Sequence, residues 1–162
     1  MATGKTSSSP ISSRTEETPD PVVELFERRR DQAAAAQVQQ SMLPTSPVLI
    51  GSYRIDFRLT GATELSGDFV AVAQWPNGDF AFVVCDVAGH GTAAALVTVL
   101  VKSFMNRLPA SSLAEPAEIL GGLNEELLAL GVSRHMCSLC GVINAAHLLK
   151  LAGAGVYPRP LL

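Results

Sequence analysis

An α+β domain of stacked layers, entered through a helical extension, is the fold class this sequence predicts. Three observations carry it. Strand-like apolar segments lie between Ser52 and Cys85, two helix-like segments lie between Thr92 and Gly131, and strand-like segments return from Met136 onward. The 162 residues, 48% of them hydrophobic, suffice for one domain and an extension with a substantial core.

Taken in order, residues 1–19 are rich in Ser, Thr and Pro and are expected to be a disordered tail. Residues 20–44 read as an N-terminal regulatory or dimerising helix. Asp20 is its N-cap, Pro21 its first helical residue and Pro44 its stop. The middle, "RRRDQAAAAQ", favours helix but carries few core-sized side chains. It suits a solvated helix lying on the domain, or a docking helix whose alanines admit another backbone. Residues 45–162 form the domain. "YRIDFRL" alternates, with Tyr53, Ile55, Phe57 and Leu59 on one face. "GDFVAVAQW" and "DFAFVVC" are strands around a "PNGD" turn. "TAAALVTVLVKSFMNRL" is apolar on most sides, as a helix between two layers would be, with Thr92 a candidate cap. "EPAEILGGLNEELLALG" is a second helix with a stripe of Ile119, Leu123, Leu127 and Leu130, stopped at Gly131. "MCSLCGVIN" and "HLLKLAGAG" form a last hairpin.

A net charge of -3 and a pI near 5.6 give no general attraction to nucleic acid or anionic membrane. The first residues lack the apolar core of a signal peptide, and the longest apolar stretch, Ala93 to Val101, is too short to span a bilayer. A cytoplasmic protein is therefore expected. Three cysteines suit a reducing compartment. Cys137 and Cys140, three apart on a strand, point to opposite faces and pack rather than hold zinc.

Chemistry concentrates where the strand "FAFVVC" runs into "DVAGHGTAAAL". If "PNG" is a three-residue loop with Gly78 left-handed, paired residues sum to 154 and Asp68 faces Asp86. Two carboxylates so close repel unless a cation or a shared proton intervenes, and oxygen ligands favour Mg or Mn. A two-residue loop would shift the register and separate the two acids. Gly67, Gly89 and Gly91 leave room for a ligand near both acids, and the helix that follows favours an anion at its N-terminus. His90 is either a proton relay or a loop-ordering residue.

"ELSGDF" at 64–69 followed by "CDVAGHGTAAAL" resembles the paired signature of the SpoIIE/RsbU-type branch of the PPM metal-dependent serine/threonine phosphatases. "QVQQSMLP", "ILGGLNEEL" and "LAGAGVYPRPLL" extend the resemblance from Gln37 to Leu162. It implies a PPM-type α-β-β-α sandwich, here truncated at the C-terminus, with a two-metal site for Mn or Mg. In that site Asp68 and Asp86 would be ligands and catalytic, helped by the backbone carbonyl of Val87. It further implies hydrolysis of phosphoserine or phosphothreonine on a STAS-type anti-sigma antagonist in a bacterial partner-switching pathway. The entering helix, residues 21–43, would be a switch and a possible homodimer element.

The sequence departs from the family at Ala71, where an acid is usual, and at Val156, where histidine is usual. No acidic residue follows Glu126, although the family takes further metal-binding aspartates from there. Two functions are consistent with this: a metal-dependent phosphoprotein phosphatase, or a pseudophosphatase-like module that recognises a signalling partner without turnover.

Overall fold

A computed structural model describes residues 20–60, 65–109 and 115–156. The expected tail at 1–19 lies outside them. Helix α1 spans Pro21–Met42, β1 Val48–Ile50, β2 Tyr53–Ile55, β3 Asp68–Gln74, β4 Phe80–Val87, α2 Thr92–Arg107, α3 Pro116–Ala129, β5 Met136–Ile143 and β6 Leu149–Ala154. Four strands form an antiparallel sheet in the order β3-β4-β5-β6, and β1 and β2 pair separately.

The sheet's two faces differ because side chains alternate along each strand. Phe69 and Ala71 of β3, Ala81, Val83, Cys85 and Val87 of β4, and Cys140 and Val142 of β5 are buried in one core. Val97, Val101 and Met105 of α2 and Ile119, Leu123 and Leu127 of α3 complete it. Asp68 and Asp86 alternate with these positions and so open on the face away from α2 and α3. The β1–β2 hairpin contributes to that second face, where the Tyr53 ring meets Phe80 edge-on at 5.3 Å.

Local chemistry sets the helix ends. Asp20 accepts a hydrogen bond from Val22 N–H at 2.9 Å, with Pro21 in the first turn. Gly131, at φ +72°, ends α3 in a Schellman arrangement: its own N–H reaches Leu128 O and the Val132 N–H reaches Leu127 O. Three expectations need correction. Leu130 caps α3 rather than extending its stripe and is 58% exposed. Thr92 is the first helical residue of α2, whose N-cap is Gly91, with no side-chain cap bond. The strand expected over residues 53–59 is paired only to Ile55, though burial alternates to Leu59, because a strand needs a neighbour and β1 is three residues long.

The two cysteines do lie on opposite faces of β5, but only Cys140 packs in the core; Cys137 is exposed, which corrects the expectation that both pack. Burial pushes the Cys140 thiol up to about 12 from 9.0. The folded chain thus holds a proton that the unfolded chain sheds near 9, so stability is intact below that pH and falls between about 9 and about 12. Denaturant midpoints at about pH 8 and about pH 11 should differ less in Cys140→Ala than in the unsubstituted chain. No helix among the described residues is long and apolar enough to cross a membrane.

Candidate metal and phosphate site

The β3–β4 turn determines what faces what. Trp75 N–H bonds Asp79 O at 3.0 Å, Gly78 N–H bonds Trp75 O at 3.1 Å, and Gly78 has φ +89°. The loop is therefore Pro76-Asn77-Gly78, three residues with glycine left-handed. Asp79 accepts from the Asn77 side chain at 2.8 Å and takes the Ala145 N–H at 2.7 Å, joining this turn to the β5–β6 turn. Every β3–β4 pair follows from that loop, from Gln74 with Phe80 to Asp68 with Asp86. Val87 N–H bonds Gly67 O at 3.1 Å, so hydrogen-bonded pairs fall at odd positions of β3. Asp68 and Asp86 form a non-hydrogen-bonded pair, the kind whose side chains approach more closely.

Asp68 is half-buried and Asp86 exposed. Among the described residues neither carboxylate makes a hydrogen bond or an ion pair; the four ion pairs lie elsewhere, at Arg28–Glu24, Arg54–Asp56, Arg107–Glu126 and Lys150–Glu115. Their charges act inward, however. The Cys85 thiol is pushed up to about 12, first by burial and then by Asp68 and Asp86.

Two loops frame the pair. A Cβ on Gly67 would lie 2.3 Å from the Val87 carbonyl oxygen, so only glycine lets that carbonyl sit where it does. After Val87, Arg134 Nη1 donates to Ala88 O at 2.8 Å and Ala88 N–H donates to His135 O at 2.8 Å. Gly89, at φ +97°, lies against the same guanidinium. The loop-ordering role considered for His90 thus belongs to Arg134, which the sequence did not single out. His90 is exposed, and its ring makes no hydrogen bond to a described residue. Ser66 Oγ accepts from Asp68 N–H at 3.0 Å and orders the entry to β3. Glu64 lies outside the described residues.

The donor set fits a hard divalent cation in kind: two facing carboxylates with no ion-pair partner among the described residues, and a carbonyl beside them. In number it supplies two acids, and no group of three or more His, Cys, Asp or Glu among the described residues gathers to hold a metal. A cleft of about 480 Å³ lies elsewhere, between α3 and the β5–β6 edge, lined by Leu123, Leu127, Val132 and Met136, and does not include the pair.

Comparison with known proteins gives likenesses in sequence and in fold. The family described as Stage II sporulation protein E (SpoIIE) matches residues 76–162, more than half of the chain. The phosphoserine phosphatase RsbP of Bacillus subtilis (strain 168) is 27% identical over 114 residues, 68% of this chain and 28% of RsbP. The SiaA-PP2C domain of Pseudomonas aeruginosa shares the fold, with a TM-score of 0.64 at 18% identity over 84% of this chain and 56% of that one. The chain thus spans about a quarter of RsbP and just over half of the SiaA-PP2C chain.

Proposed function

We propose, from the premise that this chain belongs to the SpoIIE family of PPM-type phosphatases, that it acts in metal-dependent hydrolysis of phosphoserine or phosphothreonine on a protein. The observation that carries this reading is the facing of Asp68 and Asp86 across β3 and β4 with no ion-pair partner among the described residues. Asp68 and Asp86 would hold Mn or Mg, with the Val87 carbonyl beside them. Bound ions of that kind neutralise phosphoryl oxygens and activate water for attack at phosphorus. The chain's own contribution is to hold the two acids in register, to keep the Val87 carbonyl against Gly67, and to fix the Ala88–Gly89 turn through Arg134. The first turn of α2 has no side-chain cap, which leaves N–H groups available to an anion.

The substrate we favour is a phosphorylated STAS-type protein in a partner-switching pathway, supported by the likeness to the phosphoserine phosphatase RsbP. We assign α1 a regulatory and pairing role. Val22, Val23, Leu25 and Phe26 in its first turns are at least half exposed, Phe26 by 66%. Cytoplasmic location is part of the same reading. A second function, partner recognition without turnover, is favoured by one observation: among the described residues no third His, Cys, Asp or Glu joins the pair.

Phosphate release from a phosphoserine STAS-type protein and from an aryl phosphate, with and without Mn, separates the two. Metal-dependent release, lost in Asp86→Asn, is the expected result. A folded chain that binds the STAS-type protein equally with and without Asp68 and Asp86, yet releases no phosphate, would establish the recognition module instead. Sedimentation of the same preparation, with Phe26→Ser as control, should give a dimer that the substitution weakens; a monomer at all concentrations would remove the pairing role.

A further inference from the structure

The cleft between α3 and the β5–β6 edge has no part in the function proposed above. It encloses about 480 Å³, within the range of about 300–1,000 Å³ typical of small-molecule sites. Leu123 and Leu127 of α3 form its apolar wall, with Val132 and Met136 from the chain that enters β5. Two features give this wall a direction. The first is Arg134, which lines the cleft while no Asp or Glu does so among the described residues. Arg134 Nη1 donates to Ala88 O at 2.8 Å, which uses one of the five N–H donors of a guanidinium.

The second feature is Ser138, which also lines the cleft. It lies on the face of β5 that turns Met136 and Cys140 toward the helices, and it is 2% exposed. Its Oγ has no hydrogen-bond partner among the described residues, although buried polar groups are nearly always bonded. The strand neighbours show why. Ser138 pairs with Cys85 on one side and Ala154 on the other, and neither side chain carries an oxygen or a nitrogen. One torsion, χ1, swings the serine hydroxyl between staggered positions, so it can meet a group that enters above it. Arg134 is anchored at Ala88, and Ser138 lies opposite Cys85, three residues back along the same chain. At about 3.3 Å per residue the cation and the hydroxyl stand about 10 Å apart.

We propose that this cleft binds a small apolar carboxylic acid bearing a hydroxyl or carbonyl about 10 Å from its carboxylate, the separation set by the strand rise. The carboxylate meets Arg134, the apolar body covers Leu123, Leu127 and Val132, and the distal group bonds Ser138 Oγ. Burial of the body drives binding, and the charge at one end decides which way round the ligand lies. The inference does not depend on the reading of Asp68 and Asp86, which lie outside the cleft.

The test titrates three probes into the full 162-residue chain: octanoate, ω-hydroxyoctanoate, and the octanediol with a hydroxyl at each end. Calorimetry gives the affinity, and amide shifts of the labelled chain give the place. The hydroxy acid should bind saturably, with shifts centred on α3 and residues 132–138. It should bind about tenfold tighter than octanoate, which lacks the distal hydroxyl, and about tenfold tighter than the diol, which lacks the charge. Ser138→Ala removes a hydroxyl that no described residue bonds, so it should fold and should bind octanoate and ω-hydroxyoctanoate equally. Arg134→Gln should weaken both acids about tenfold and leave the diol unchanged. Arg134→Lys keeps the charge and should retain most of the acid binding; it serves if the glutamine variant disturbs the turn at Ala88. Four results overturn the inference: no saturable binding of any probe, shifts centred elsewhere, a hydroxyl advantage that survives Ser138→Ala, or acid binding indifferent to Arg134→Gln. Binding that falls as the chain concentration rises would mark the cleft as a contact between copies, and overturns it too.

Discussion

Asp86→Asn should make the metal-free chain more stable, by about 0.2–1 kcal/mol, while removing Mn binding and lowering phosphate release at least a hundredfold. Like charges directly opposite on two strands destabilise a sheet by about that much, and among the described residues neither carboxylate has an ion pair or a hydrogen bond to offset it. Asparagine keeps the shape and removes the repulsion. A divalent ion reverses the balance, since the second carboxylate then becomes a ligand. Loss of an outer-shell partner alone commonly costs about 10–100-fold in affinity or activity, so a lost ligand should cost more. The opposed signs are the useful feature. An aspartate kept for stability would lose stability on substitution. Thermal unfolding with and without Mn checks this, because a bound ion stabilises by about 2.7 kcal/mol at a hundred times its dissociation constant.

Gly67→Ala should be nearly as damaging by a different route. The added Cβ would lie 2.3 Å from the Val87 oxygen, 3.2 Å from its carbon and 3.3 Å from its Cβ. The obstacle is backbone, so it cannot swing aside as a flexible side chain can. The end of β4 must move, and with it the bond from Val87 N–H to Gly67 O. Overpacking of this kind costs about 1–3 kcal/mol, and the displaced carbonyl should weaken Mn binding as well. Gly78→Ala is the control. Its Cβ would meet nothing within 4 Å, but φ is +89°. It should lose about 1–2 kcal/mol through backbone strain alone, with Mn binding retained in the folded fraction. Denaturant midpoints and Mn titrations on both variants distinguish the two.

The aspartate pair was legible in the sequence because its cause is local. A "PNG" turn with one left-handed glycine propagates through the seven paired residues of each strand at a period of two, so a loop of three fixes a pairing eight residues from either of its ends. The Asp20 cap and the Gly131 stop were legible for the same reason. Arg134 was not: it reaches Ala88 across 46 residues, and nothing near either residue signals the contact. Gln39 lies between these cases. Its bonds to Ser66 and Thr98 span 27 and 59 residues, but its spacing from Ala36 and Met42 places it on the helix's docking stripe, where a glutamine is out of pattern. The alanine run does admit another backbone closely, as Ala36 against Ala95 demonstrates, although that backbone is the domain's own α2.

The central claim is that Asp68 and Asp86 together bind a divalent cation. Calorimetric titration of Mn into the folded 162-residue chain and into Asp86→Asn tests it most directly. Saturable binding in the unsubstituted chain and none in the variant is the predicted result. Equal binding in both, or none in either, would contradict it.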